Sequence, residues 1–236
     1  MSQFSNLTSH ISKNYVIIVA GGSGSRMLSS IPKQFMSLNG VPVLMHTMLA
    51  FYNSNAKPNL IVVLPANYHN HWTKLCEMHD LTIPYQLVAG GDTRFHSVKN
   101  GLDLIPYTDT IIAVHDAVRP LTSREIIDES YQHATANGNA VVAVKSRDSI
   151  RQLKSNVSVA LTREEIYLVQ TPQTFQSAQL KKAYQQPYDP KFTDDASVVE
   201  ATGIKINLIE GSYQNIKITF PEDIAIAELL MKNSIS

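Results

Sequence analysis

The feature that most constrains this chain is an alternation. Short runs rich in β-branched residues at 15–20, 60–64, 85–88, 111–115 and 140–144 are separated by helix-like segments at 43–53, 67–79, 94–104 and 123–137. Runs that are apolar throughout, rather than at every second position, belong in strands covered on both faces. Alternating strands and helices imply a mostly parallel sheet with helices on both faces, because a parallel neighbour is reached only by a crossover long enough to hold a helix. The 236 residues can bury a sizeable core and read as one α/β domain over 15–236, after a polar lead-in at 1–14 expected to be disordered. Thr122, three residues before Glu125, is the expected N-terminal cap of the helix at 123–137.

The alternation breaks after residue 144. Extended pieces at 149–153, 157–161 and 167–170, with a turn at Lys154, Ser155 and Asn156, form an inserted β-arm at about 145–170. An arm of this size cannot bury a core of its own. Its natural support is the same arm of a second copy, so a homodimer with arm exchange is expected. Helical patterns return at 177–186 and 194–202, followed by strands at 206–209 and 216–218. A closing helix at 221–231 is signalled by Thr219, Pro221 and Glu222.

Charge narrows the function. Twenty basic and twenty acidic residues balance, which argues against a general nucleic-acid binder. No apolar run is long enough to span a membrane. The single cysteine, Cys76, excludes an internal disulfide and fits a reducing compartment, so a cytoplasmic location is expected. His69, His71, Cys76 and His79 have no standard zinc spacing and fall in a segment that reads as an amphipathic helix. The balance is uneven along the chain. Residues 1–76 hold five basic residues (Lys13, Arg26, Lys33, Lys57 and Lys74) and no Asp or Glu, so a polyanionic ligand would meet no like charge there.

Within that stretch, Ala20-Gly21-Gly22-Ser23-Gly24-Ser25-Arg26-Met27 directly follows the first strand. A glycine-rich turn at the carboxyl end of a parallel strand lets backbone N–H groups approach phosphate oxygens. A dinucleotide fingerprint would need glycine at Met27 and an acidic residue about twenty positions on, whereas the first carboxylate is Glu77. A P-loop would need Gly-Lys-Ser/Thr where Arg26-Met27 stands.

Pro32-Lys33-Gln34-Phe35 follows, and the glycine-rich loop, arginine and lysine together resemble nucleotidyltransferases that join NTPs to sugar or polyol phosphates. Gly90-Gly91-Asp92-Thr93-Arg94 with Ser97, and His115-Asp116-Ala117-Val118-Arg119-Pro120, are similar to the 2-C-methyl-D-erythritol 4-phosphate cytidylyltransferase family of the non-mevalonate isoprenoid pathway. Thr162-Arg163, Gln170-Thr171-Pro172-Gln173, Thr193-Asp194-Asp195-Ala196-Ser197 and Asn215-Ile216-Lys217-Ile218-Thr219 continue the likeness in the family's order. Ribitol-5-phosphate cytidylyltransferases share the first motifs, and a non-catalytic nucleotide-binding module is the alternative from another class.

The resemblance implies a Rossmann-like, GT-A-like nucleotidyltransferase fold and attack by a polyol phosphate on the α-phosphorus of CTP. The nucleophile is already anionic, so positioning and cationic stabilisation dominate. By resemblance Arg26, Lys33, Arg163 and Lys217 are the catalytic cations. Ala20, Gly21, Gly22, Gly24, Gly91, Asp92, Ser97, Asp116 and Ala117 would bind CTP. Asp116, Arg119, Arg163, Thr171, Thr193 and Lys217 would bind the polyol phosphate, with Arg163 reaching in from a neighbouring arm. Mg²⁺ or another divalent cation is expected, held mainly by the CTP phosphates, with no certain protein ligand. Arg94 and Ser97 could alternatively cap the helix that starts there.

Overall fold

The structure is a computed structural model and describes residues 13–21, 31–106 and 109–233. In chain order its elements are β1 (Asn14–Val19), β2 (Ser37–Leu38), β3 (Val41–Pro42), α1 (Val43–Tyr52), β4 (Asn59–Leu64), α2 (His69–Met78), β5 (Tyr85–Ala89), α3 (Arg94–Leu102) and β6 (Ile111–Asp116). There follow α4 (Arg124–Asn137), β7 (Asn139–Lys145), β8 (Arg151–Lys154), β9 (Val157–Ala160), β10 (Tyr167–Gln176), α5 (Ser177–Ala183), α6 (Asp195–Glu200), β11 (Leu208–Glu210) and α7 (Glu222–Asn233).

Among the described residues seven strands form the main sheet, in the order β11-β7-β10-β6-β1-β4-β5. All neighbours run parallel except β10, which lies antiparallel between β6 and β7. The parallel strands are apolar throughout because both faces are covered. In β1, Tyr15 and Ile17 pack on one side with Phe95, Val98 and Leu102 of α3 and Leu180 of α5. Val16 and Ile18 pack on the other side with Leu44 and Met48 of α1, Trp72 of α2, and Ile127 and Tyr131 of α4. A smaller cluster of Leu38, Val43, Val118, Ile218 and Ala227 seats α7 beside β2.

From β1 the chain proceeds to β4 and β5 on one side, then crosses back to β6 on the other. The crevice at the carboxyl ends of β1 and β6 is therefore a topological switch point, the usual ligand position in open α/β sheets.

Several local expectations are corrected. The first strand starts at Asn14, which pairs with Ile111, inside the expected lead-in. The piece expected at 167–170 is the start of the ten-residue β10, which pairs with β7 from Tyr167 onward and with β6 through Gln173–Gln176; among the described residues only β8 and β9 stand out as a hairpin of their own. Ser155 and Asn156 both have positive φ (48° and 62°), the conformation of a two-residue type I′ turn. The α4 cap is Ser123, whose side chain accepts from Ile126 N–H, while Thr122 is buried and bonds elsewhere. Residues 216–218 are outside the sheet and make one strand-like bond, Ile218 N–H to the Val118 carbonyl at 2.9 Å. Among the described residues no helix is long and apolar enough to cross a membrane.

Candidate active site

A cleft opens at the switch point. Its walls come from the end of β1 (Val19, Ala20, Gly21), the Lys33–Gln34 turn, the loop entering α3 (Gly91, Asp92, Thr93, Arg94, Ser97), the end of β6 (Asp116, Ala117, Val118) and Lys217. Nine expected site residues therefore share one cleft: Ala20, Gly21, Lys33, Gly91, Asp92, Ser97, Asp116, Ala117 and Lys217. Gly22, Gly24 and Arg26 lie outside the described residues.

The first wall is fixed by backbone. Ala20 N–H donates to the Val63 carbonyl (2.9 Å) and Ala117 N–H to the Val19 carbonyl (3.1 Å), so the chain leaves β1 and β6 in fixed directions. The buried Gln34 amide donates to the Ala20 carbonyl at 3.0 Å. Phe35 packs against Tyr68, His71 and Trp72. Together these anchors hold the short helical turn Lys33–Phe35, and Lys33 with it, against the strand end.

The second wall surrounds the buried Ser97. Gly91 N–H donates to the Ser97 hydroxyl (3.1 Å), which in turn donates to the Thr93 carbonyl (3.0 Å). With its hydrogen committed, the Ser97 oxygen has only a lone pair left to offer, so it can act as an acceptor. A Cβ at Gly91 would lie 2.5 Å from His96 Cβ, so any side chain there would collide with the helix. Thr93, not Arg94, caps α3, accepting from His96 N–H at 3.3 Å.

Arg94 instead makes a two-pronged bond to Asp195, at 3.0 and 2.6 Å. Burial works against its charge, but Asp195 outweighs burial and holds the guanidinium firmly protonated.

At the third wall the Asp116 carboxylate meets Lys217 Nζ at 3.0 Å and Arg119 Nε at 3.2 Å. Burial alone would raise its pKa, yet Lys217, Arg94 and Arg119 outweigh burial and hold the carboxyl well below the usual range. Arg119 Nη1 also donates to the Asn215 carbonyl at 2.7 Å. The fully buried Asn215 side chain accepts from the Thr122 hydroxyl (2.8 Å) and donates to the Thr171 carbonyl (3.0 Å). Thr171 sits behind the wall, its hydroxyl accepting from Asp116 N–H at 3.1 Å.

Four expected residues do not line the cleft within one chain: Arg119 and Thr171 stand behind its wall, and Thr193 and Arg163 lie elsewhere. Thr193 is exposed just before α6, its N–H bonded to the Ser197 hydroxyl. Arg163 is on the exposed turn after β9, paired with Glu164 at 3.1 Å. Sequence reasoning missed Gln34 and Asn215, whose partners are 14 or more residues away. It also left out the Arg94–Asp195 pair, which spans 101 residues and has no local signal. On α2, His69 Nε2 lies at hydrogen-bond distance from the Leu64 carbonyl, and Cys76 is buried beside the Tyr85 hydroxyl.

His115 adjoins this site but faces the core, packed edge-on against Phe51. Its Nε2 lies 3.3 Å from the Arg119 carbonyl, which can only accept, so Nε2 carries the proton and Nδ1 has no partner. Burial pushes its pKa down to about 3. Below about 6.5 the unfolded chain takes up a proton here that the folded chain refuses until about 3, so stability is lost as pH falls through that window. By pH 5 the loss from this group is on the order of 2 kcal/mol. Urea unfolding of wild type and His115→Gln at pH 7 and pH 5 should show the variant losing less stability on acidification; equal losses would contradict the buried neutral imidazole.

Comparison with known proteins adds to this geometry. A family model described as 2-C-methyl-D-erythritol 4-phosphate cytidylyltransferase matches residues 14–233. The protein of that name from Bacteroides thetaiotaomicron is 46% identical over 219 residues, covering 93% of this chain and 100% of the relative. The one from Porphyromonas gingivalis is 44% identical over 220 residues, covering 93% of this chain and 98% of the relative. The crystal structure of the Francisella tularensis protein of that name superposes with a TM-score of 0.75 at 33% identity, over 92% of this chain and 98% of that one.

Proposed function

The chain belongs to the 2-C-methyl-D-erythritol 4-phosphate cytidylyltransferase family, and from that membership we infer that it transfers the cytidylyl group of CTP to 2-C-methyl-D-erythritol 4-phosphate. The products are 4-diphosphocytidyl-2-C-methyl-D-erythritol and pyrophosphate. The relatives above carry the methylerythritol name, which leaves ribitol 5-phosphate and a non-catalytic module without support.

One observation carries the mechanistic reading: Lys33, Lys217 and the Asp116 carboxylate line the same cleft as the acceptor-only Ser97 oxygen. The substrate phosphate attacks the α-phosphorus of CTP, a new P–O bond forms, and the bond to pyrophosphate breaks. No proton need be removed from the nucleophile. The neighbouring histidine, neutral and turned to the core, is accordingly no candidate for a general base. Catalysis is then positioning plus cationic stabilisation of the charge that gathers in the transition state.

In this reading Ala20, Gly21, Gly91, Asp92 and Ser97 surround the base, and the Ser97 lone pair suits the amino donor of cytosine rather than the carbonyl of uracil. Gly22, Gly24 and Ala117 complete the CTP site. Arg26 and Lys33 stabilise the transferring phosphoryl group, a fork of donors and a point charge that are not interchangeable. Asp116, Arg119, Thr171, Thr193 and Lys217 serve the polyol phosphate.

A divalent cation, Mg²⁺ above all, would ride on the CTP phosphates, because magnesium takes few protein ligands. When bound it would neutralise triphosphate charge, and in this reading the Asp116 carboxylate, which lines the cleft, would face it through water. The working unit is a homodimer with exchanged arms. All eight residues of β8 and β9 are exposed, with Leu153, Val157 and Val159 uncovered (71%, 62% and 50%). The arm's support, and Arg163, then come from the neighbouring chain. The single buried cysteine agrees with a cytoplasmic enzyme. Pyrophosphate release from CTP on addition of the polyol phosphate tests the reading.

A further inference from the structure

The Asp195 carboxylate is fully buried, reaches neither the cleft nor solvent, and still holds a residue of the cleft wall. One of its oxygens takes Arg94 Nη1 at 3.0 Å and the Tyr184 hydroxyl at 2.6 Å; the other takes Arg94 Nη2 at 2.6 Å. Tyr184 is itself buried and stacks on Phe95, the residue after Arg94, with ring centroids 4.6 Å apart. Both ends of the pair are thus fixed. A bidentate guanidinium–carboxylate contact is among the strongest and most directional that side chains make.

What the pair joins is informative. Arg94 opens α3 and lines the cleft beside Asp92 and Ser97. Asp195 opens α6, directly after Thr193 and the capping residue Asp194. Gln173 of β10 strengthens that end, donating to the Asp194 carboxylate (2.9 Å) and accepting Ala196 N–H (2.8 Å). We propose that Asp195 is a positioning residue that acts through Arg94, tying the cleft wall beside Asp92 and Ser97 to the segment that carries Thr193, which stands outside the cleft and which the family resemblance assigns to the polyol phosphate. Asp195 also offsets the charge of Arg94, so that the CTP phosphates do not draw the guanidinium out of its fixed place on that wall. The proposal rests on the cytidylyl-transfer reading above.

Charge gives it a signature that general damage cannot imitate. Asp195→Asn keeps the shape but frees the Arg94 charge. CTP affinity, titrated with Mg²⁺ and no second substrate, should stay equal or tighten. The KM for 2-C-methyl-D-erythritol 4-phosphate should rise roughly tenfold, the scale of one misplaced binding segment. Tyr184→Phe removes only the hydroxyl that holds Asp195, and should raise the same KM about threefold while leaving CTP alone. Equal weakening of both substrates in the variants would make Asp195 merely structural and overturn the proposal. Unchanged KM values would overturn it too. If Asp195→Asn does not fold by circular dichroism, Tyr184→Phe decides alone by the same outcomes. A wild-type protein that releases no pyrophosphate would instead defeat the parent reading, a separable result.

Discussion

Lys33→Ala lowers kcat by roughly 10²-fold or more, the usual loss for one preorganised charge-stabilising group. The expectation rests on how the lysine is held. It is 9% exposed, on a turn anchored by the Gln34 amide on the Ala20 carbonyl and by Phe35 in an aromatic cluster. A cation fixed at the cleft before the reaction starts costs no reorganisation when charge develops. Arg26→Ala is expected to act alike on the family resemblance, although Arg26 is outside the described residues. Steady-state kinetics separates the possibilities: a fall in kcat identifies transition-state stabilisation, whereas an unchanged kcat with a raised KM would make these residues binding groups.

The second large effect comes from mixing two dead variants. Arg163 is on the exposed arm, paired with its sequence neighbour Glu164, and lines no part of its own chain's cleft. If two-fold symmetry brings it to the neighbouring site, Arg163→Ala and Lys33→Ala are each nearly inactive alone. Co-refolded, about half the dimers are mixed, and each mixed dimer has one site with both defects and one with neither. Activity should recover towards about a quarter of wild type. If Arg163 serves its own chain, every site keeps one defect and nothing returns. Sedimentation of a monomer at assay concentration would also remove the shared site.

The parts of the fold legible in the sequence are those whose physics is local. β1, β4, β6 and β7 are continuous apolar runs because both faces are covered, and the cleft lies where β1 ends at Ala20 and Gly21. The part of β10 between β6 and β7 is not legible, since it sits in the sheet centre yet reads Gln173, Thr174, Phe175, Gln176. Its polar side chains are tolerated there because each has a distant partner: Gln173 caps the start of α6 and the Thr174 hydroxyl bonds Ser130. Composition cannot reveal a partner 44 residues away. The same holds at the site. Lys33, Ser97, Asp116 and Lys217 stand in recognisable motifs, but only the fold brings Lys217 to Asp116 across 101 positions of chain, and only the fold turns Arg94 from a helix cap into one half of a clamp.

The central claim is that this cleft directs a polyol phosphate onto CTP with no covalent help from the protein. The most direct measurement is pyrophosphate release with CTP, UTP, ATP and GTP, each against 2-C-methyl-D-erythritol 4-phosphate and ribitol 5-phosphate in the presence of Mg²⁺, with the organic product followed by phosphorus NMR. Only CTP with methylerythritol phosphate should turn over efficiently, and the cytidine diphosphate product should appear in step with pyrophosphate. Equal rates with CTP and UTP, preference for ribitol 5-phosphate, or pyrophosphate released before any polyol phosphate is added would contradict the account.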